Sequence, residues 1–171
     1  MRTNRQGDNS MEGKRISESA VLMAQLMSPQ DANPAGNVHG GVIMKLIDDA
    51  GGAVAYRHAR SNVVTVSIDR LSFHHPVFIG DLVTFKASIN MAGKTSMDVG
   101  VRVEAENLIT GEVRHTASAY LTYVALDEDL KPKAIAPLIF ESEKQERRAR
   151  QALARREIRR QEREREESQD Q

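Results

Sequence analysis

Residues Asn33–Gly52 read NPAGNVHGGVIMKLIDDAGG. Pro34 and Gly36 set a polar turn, the Gly40-Gly41 pair follows, and Val42, Ile43, Leu46 and Ile47 then recur at helical spacing. This spacing predicts a buried helix from about Gly40 to Arg60, entered through a glycine hinge and carrying two adjacent acids, Asp48 and Asp49. Ala50, Gly51, Gly52, Ala53 and Ala55 are small, which lets a sheet curl closely around the helix. The Gly-Gly pair costs a helix roughly 1–2 kcal/mol relative to Ala-Ala, so close packing must compensate.

Beyond the helix the period changes to two. Asn62–Phe73 is rich in β-branched residues, with Val64, Val66 and Ile68 expected on one face. Val83, Phe85, Ala87, Ile89 and Met91 alternate strictly, as do Met97, Val99, Val101, Val103 and Ala105. Ala117, Ala119, Leu121 and Tyr123 share one side of the last run, Val113–Leu126. Turn residues separate the runs: Pro76 with Gly80-Asp81, Ala92-Gly93-Lys94, and Thr110-Gly111-Glu112. An apolar segment before the helix, Ala20–Met27, reads as an opening strand. One strand, one long helix and four meandering strands give an α+β domain, an antiparallel sheet wrapped on a single helix. There is no βαβ alternation.

The ends differ in composition. Residues 1–16 are polar and mixed in charge, and are expected to be disordered, so the folded domain is placed at 17–140. Residues 141–171 carry ten basic and nine acidic residues, with Leu153 and Ile158 as the large apolar ones. Opposite charges three or four apart predict a helix, read as solvated, with packing along an oligomer or on a partner as the other reading.

The whole chain has 171 residues, a formal net charge of +0 and no cysteine. Zero net charge offers no footprint for nucleic acid. The lack of cysteine excludes disulfides, thiolate nucleophiles and Cys-ligated zinc. No apolar run approaches the roughly 18 residues of a membrane span, and the first residues lack the apolar centre of a secretory signal. A cytoplasmic setting is the expectation.

Chemistry concentrates at the helix entrance. The N–H groups of Gly40, Gly41 and Val42, free of side-chain crowding at the glycines, could polarise a carbonyl oxygen at the helix start. Glycines there are also ordinary turn residues. His39 could hydrogen-bond a substrate or cap the loop. Asp48 and Asp49 diverge by about 100° around the helix, so one can face a cleft while the other faces solvent; a plain surface pair is the bland reading. A carboxylate beside a polarising helix end is the apparatus for hydrolysing an activated acyl group. No GxSxG, Walker loop, GxGxxG or HExxH pattern is present, and the five histidines offer no metal-ligand spacing, so no metal is expected. Lys94, Thr95 and Ser96 supply a cation, two hydroxyls and turn amides that could hold a phosphate.

DANPAGNVHGGVIMKLIDDAGG (31–52), VSIDRLSFHHPVFIGDLV (66–83), GKTSMDVGVRVEAEN (93–107), TGEV (110–113) and TYVALD (122–127) together closely resemble the hotdog-fold acyl-CoA thioesterases. Within that family the stretches look like the cytosolic acyl-CoA hydrolases. The glycine-rich entry, the acid in the helix and the F-x-x-P-x-x-x-G-D element of Phe73–Asp81 occur in it together. The resemblance implies a hotdog fold, a five-stranded sheet around a long central helix, with two domains paired edge to edge and trimers of such dimers. It implies hydrolysis of fatty acyl-CoA to free acid and CoA, with no cofactor beyond the coenzyme A of the substrate. It places catalysis on Asn33, ahead of the helix, and Asp48 within it, the two coming from opposite partners of a homodimer. Asp48 would act as general base or as nucleophile, Asp49 being the competing acid. Lys94, Thr95, Ser96 and Arg70 would hold the CoA phosphates. A non-catalytic acyl-CoA sensor and a hotdog dehydratase are the alternatives on the same fold; a dehydratase needs a substrate-facing His, and His39 lies ahead of the helix.

Overall fold

The computed structural model describes residues 11–169. In chain order its elements are β1 (Lys14–Arg15), β2 (Val21–Leu26), α1 (Gly40–Ala59), β3 (Asn62–Phe73), β4 (Asp81–Ala92), β5 (Ser96–Asn107), β6 (Val113–Leu126), β7 (Leu138–Ile139) and α2 (Glu143–Gln169). Five of the strands form one antiparallel sheet in the order β2-β4-β5-β6-β3. The strands on either side of α1 in sequence therefore lie at opposite edges, and the sheet curls around the helix between them.

α1 buries Ile43, Leu46, Ile47, Ala50, Gly51, Val54 and Ala55 against the inner face. That face is built by the expected alternation: Val83, Phe85, Ala87 and Ile89; Met97 to Ala105; and Ala117 to Ala125. Arg60 ends the helix in the left-handed region at φ 50°, its N–H donating to the Tyr56 carbonyl. Of the small helix residues, Gly51 is the one the sheet requires: a Cβ there would lie 2.5 Å from the Tyr123 hydroxyl oxygen, whereas one at Gly52 would come no nearer than 4.0 Å.

Bulges break the expected alternation in β4 and in β3. Met91, expected beside Ile89, pairs with Asp98 after a register shift, which turns it to the outer face. Val64, Val66 and Ile68 do not share a face either. Val64 pairs with Val124 and Ile68 with Leu121, because extra residues at Val66 and Asp69 shift the register twice.

The ends depart from the sequence expectation as well. Of the segment read as disordered, residues 1–10 lie outside the described residues, but Lys14 and Arg15 form β1 and pair in parallel with Leu138 and Ile139. Ile16 is buried in the core, and Lys14 Nζ donates to the His58 carbonyl at 2.7 Å. This short polar stretch is thus tied to the domain. α2 is not a free solvated helix. Ala149 and Ala152 are buried, and Arg155 and Arg159 reach the outer face of the sheet, where they meet Asp98 and Asp69.

Candidate active site

Asp48 is half-buried and Asp49 exposed. Asp49 makes a surface ion pair with Lys45, one turn back, at 2.6 Å. Asp48 instead turns toward the sheet, where its Oδ1 accepts from Thr65 Oγ1 at 2.9 Å and from the Tyr123 hydroxyl at 3.0 Å. Its Oδ2 has no partner among the described residues. Burial, and next the charge of Asp48, push the Tyr123 phenol well above its ordinary range, so it remains a protonated donor. Two hydroxyls thus fix one carboxylate oxygen and leave the other open for chemistry. Thr65 and Tyr123 face each other as a register pair on β3 and β6. Neither hydroxyl stands out in the sequence, since Thr65 lies in a β-branched run and Tyr123 reads as core.

The helix entrance is partly occupied by its own chain. His39 is the N-cap of α1, its Nδ1 accepting from the Gly41 N–H at 2.9 Å, and its carbonyl accepts from the Val42 N–H at 2.9 Å. Of the three amides expected to polarise a carbonyl, Gly41 and Val42 are therefore already engaged, and Gly40 keeps a free N–H among the described residues. His39 is thus held by the start of the helix that it caps.

Asn33 organises the preceding loop. Its Oδ1 accepts from the N–H groups of Ala35, at 2.9 Å, and Asn37, at 3.2 Å, and its own backbone N–H donates to the Asn37 carbonyl. Gly36 takes φ 85° inside this turn. The Asn33 carboxamide is thereby oriented, with its Nδ2 left to donate elsewhere. The Gly80-Asp81 end of the F-x-x-P-x-x-x-G-D element is structural: Asp81 accepts from the Phe78 N–H at 3.0 Å and from Arg114 at 2.8 Å.

Lys94 and Thr95 lie in the β4–β5 turn and Ser96 opens β5, the turn being held by bonds from Ala125 N–H to the Thr95 carbonyl and from Gly93 N–H to the Ser96 carbonyl. A Cβ at Gly93 would lie 2.9 Å from Arg156 Nη1, so α2 brings a further cation over this turn. Arg70 is not brought to it within one protomer. Arg70 pairs with Tyr120, Ser96 with Val124, four residues further along β6 or roughly 13 Å at strand rise.

Asp48 lines neither a cavity of about 670 Å³ between the outer sheet face and α2 nor one of about 880 Å³ at the C-terminal end of α1. Among the described residues no group of three or more His, Asp or Glu is placed to hold a metal ion. Among the described residues no helix is long and apolar enough to cross a membrane.

A family model described as the thioesterase superfamily matches residues 35–112. Protein VdlD of Helicobacter pylori is 38% identical over 139 residues, which cover 81% of this chain and 79% of that protein. The cytosolic acyl coenzyme A thioester hydrolase of Mus musculus is 34% identical over 80% of this chain, and the chain spans only 36% of its length. A solved apo-hexameric acyl-CoA thioesterase superposes with a TM-score of 0.86 at 35% identity, over 89% of this chain and 97% of that one. The Staphylococcus aureus acyl-CoA hydrolase, solved with butyryl-CoA, CoA and CoA disulfide, gives 0.84 at 31% identity, over 91% and 95%. That hydrolase has also been solved with single Asp, Asn and Thr residues changed to Ala.

Proposed function

This chain belongs to the thioesterase superfamily and has the hotdog fold, and from that premise we propose that it hydrolyses acyl-CoA to a free acid and CoA. The observation that carries the proposal is the Asp48 carboxylate, held by Thr65 and Tyr123 through Oδ1 with Oδ2 open. The substituted Asn, Asp and Thr of the S. aureus hydrolase stand at the same mutual spacing as Asn33, Asp48 and Thr65, which supports the same trio here.

Asp48 either takes a proton from water as it attacks the thioester carbon, or attacks that carbon itself and is released by water. Each route expels the CoA thiolate, which leaves as the thiol after protonation. The Gly40 N–H, at the positive end of α1, stabilises the developing oxyanion. The Asn33 Nδ2 donates to the carbonyl or to the water. No cofactor is needed beyond the CoA the substrate brings.

A homodimer along the free β3 edge completes this site, placing Asn33 of one protomer opposite Asp48 of the other. An edge strand without a second neighbour among the described residues, with Val64, Val66 and Phe73 exposed, supports that pairing. The hexamers among the solved relatives support a trimer of such dimers. In the assembly Lys94, Thr95, Ser96 and Arg70 hold the CoA phosphates, the first three from one protomer and Arg70 from another. A cytoplasmic setting accords with the name of the mouse relative.

The test is free-thiol release from acetyl- through stearoyl-CoA by the purified protein, with acyl-CoA binding measured in parallel. Release from at least one chain length is expected. Tight binding of acyl-CoA without release from any of them would replace this reading with a sensor, and hydration of an enoyl-CoA in its place would indicate a dehydratase.

A further inference from the structure

α2 meets the sheet one rung away from the hydroxyls that hold Asp48. Arg159 Nη1 donates to Ser67 Oγ at 2.8 Å, to Thr122 Oγ1 at 2.9 Å and to Asp69 Oδ1. Arg155 donates to both oxygens of Asp98, at 3.0 and 3.2 Å, and lies 3.7 Å over the Tyr120 ring. Asp98, Thr122 and Ser67 are consecutive register partners across β5, β6 and β3. The next rung is Met97, Tyr123 and Thr65, on the inner face. One rung is therefore gripped from outside by a helix, and its neighbour carries both donors to Asp48 inside.

The grip falls where β3 carries both of its bulges. Without the extra residue at Val66, Thr65 and Ser67 would share a face. With it, Thr65 points inward to Asp48 and Ser67 outward to Arg159. A second extra residue, Asp69, bonds the same guanidinium. A slip of one residue in β3 would carry the Thr65 hydroxyl away from the carboxylate. Apolar contact does little to hold α2, since its buried residues are two alanines; the buried Asp98 and Asp69 charges are what pair with it.

We propose that Arg159 is a positioning residue for Asp48. By fixing the doubly bulged register of β3 through Ser67, Asp69 and Thr122, it makes the charged C-terminal helix part of the active-site scaffold. This rests on Asp48 acting as proposed above.

The experiment compares kcat and KM for thiol release in the parent and in Arg159→Met, Arg159→Lys, Asp69→Asn, Thr65→Val and the Arg159→Met/Thr65→Val double variant. Arg163→Met is the control, because Arg163 pairs with Glu167 on the exposed side of the same helix. The expected result is a fall in kcat of roughly 10–100-fold for Arg159→Met, the scale of a misplaced catalytic group, with KM within about threefold. Arg159→Lys recovers part of the rate, and the double variant is no slower than Thr65→Val, because both changes remove the same placement. Asp69→Asn repeats the kcat effect from the sheet side and serves if Arg159→Met does not fold. Parental kcat in Arg159→Met, or losses that multiply in the double variant, would overturn the proposal. An inactive parent would instead overturn the thioesterase reading on which it rests.

Discussion

The Tyr123 hydroxyl lies 3.0 Å from Asp48 Oδ1 and 3.1 Å from the Asp48 carbonyl oxygen, so one strand residue addresses both the side chain and the backbone of the helical acid. Gly51 makes this possible, because any larger residue there would occupy the space of that hydroxyl.

Gly51 and Gly52 should therefore respond oppositely to alanine. Helix propensity alone favours alanine at each by about 1 kcal/mol. Gly52→Ala should gain stability up to that amount, its nearest contact being an ordinary 4.0 Å. Gly51→Ala should lose stability and slow thiol release, since its Cβ displaces the Tyr123 hydroxyl. Urea unfolding of the two variants checks this; equal stabilisation by both would mean the sheet has room at Gly51.

Subunit complementation tests the shared site. Asn33→Ala and Asp48→Asn should each lose most of their thiol release, and mixing the two under conditions of subunit exchange should restore part of it. Restoration follows because a mixed dimer regains one site holding both native residues. No gain on verified exchange would place Asn33 and Asp48 of one site on the same protomer.

Much of the fold was legible because burial leaves a period. The alternation of Val83 to Ile89 and of Met97 to Ala105 marks an inner sheet face, and Val42 to Ile47 marks a helix. The bulges at Val66 and Asp69 leave no such trace: Val64, Val66 and Ile68 alternate in sequence as if the strand were regular. What accompanies the irregular register is polar contact with Arg159, 90 residues from Asp69. The docking of α2 escaped for the same reason, since its buried stripe is two alanines and its anchors are arginines indistinguishable in sequence from the exposed ones. Helical spacing alone did not separate Asp48 from Asp49, and the family resemblance preferred Asp48; in the fold Thr65 and Tyr123 come to Asp48 and Lys45 to Asp49.

His58 gives the fold a pH dependence. It is buried, its Nε2 is bonded to the Ala136 carbonyl at 2.8 Å, and its Nδ1 has no partner among the described residues. Burial holds its pKa below the ordinary 6.5, the Ala136 carbonyl opposing and Lys14 reinforcing the shift. The unfolded chain then takes up a proton that the folded chain resists. The stabilisation is fully present above pH 6.5 and is lost as pH falls through the lowered folded value. Thermal unfolding between pH 8 and pH 5, run beside His58→Gln, should show a shallower acid decline in the variant. Identical declines would assign the pH dependence to other groups.

The most direct measurement of the central claim is steady-state thiol release by Asp48→Asn and Asp49→Asn, each checked for unchanged oligomeric state. Loss of a general base typically removes about 10²–10⁴-fold of rate. Asp48→Asn should fall by that order on every acyl-CoA the parent cleaves, while Asp49→Asn, whose partner is a surface lysine, stays near the parent. Parental rates in Asp48→Asn, or a loss confined to Asp49→Asn, would contradict the assignment of the chemistry to the carboxylate that Thr65 and Tyr123 hold.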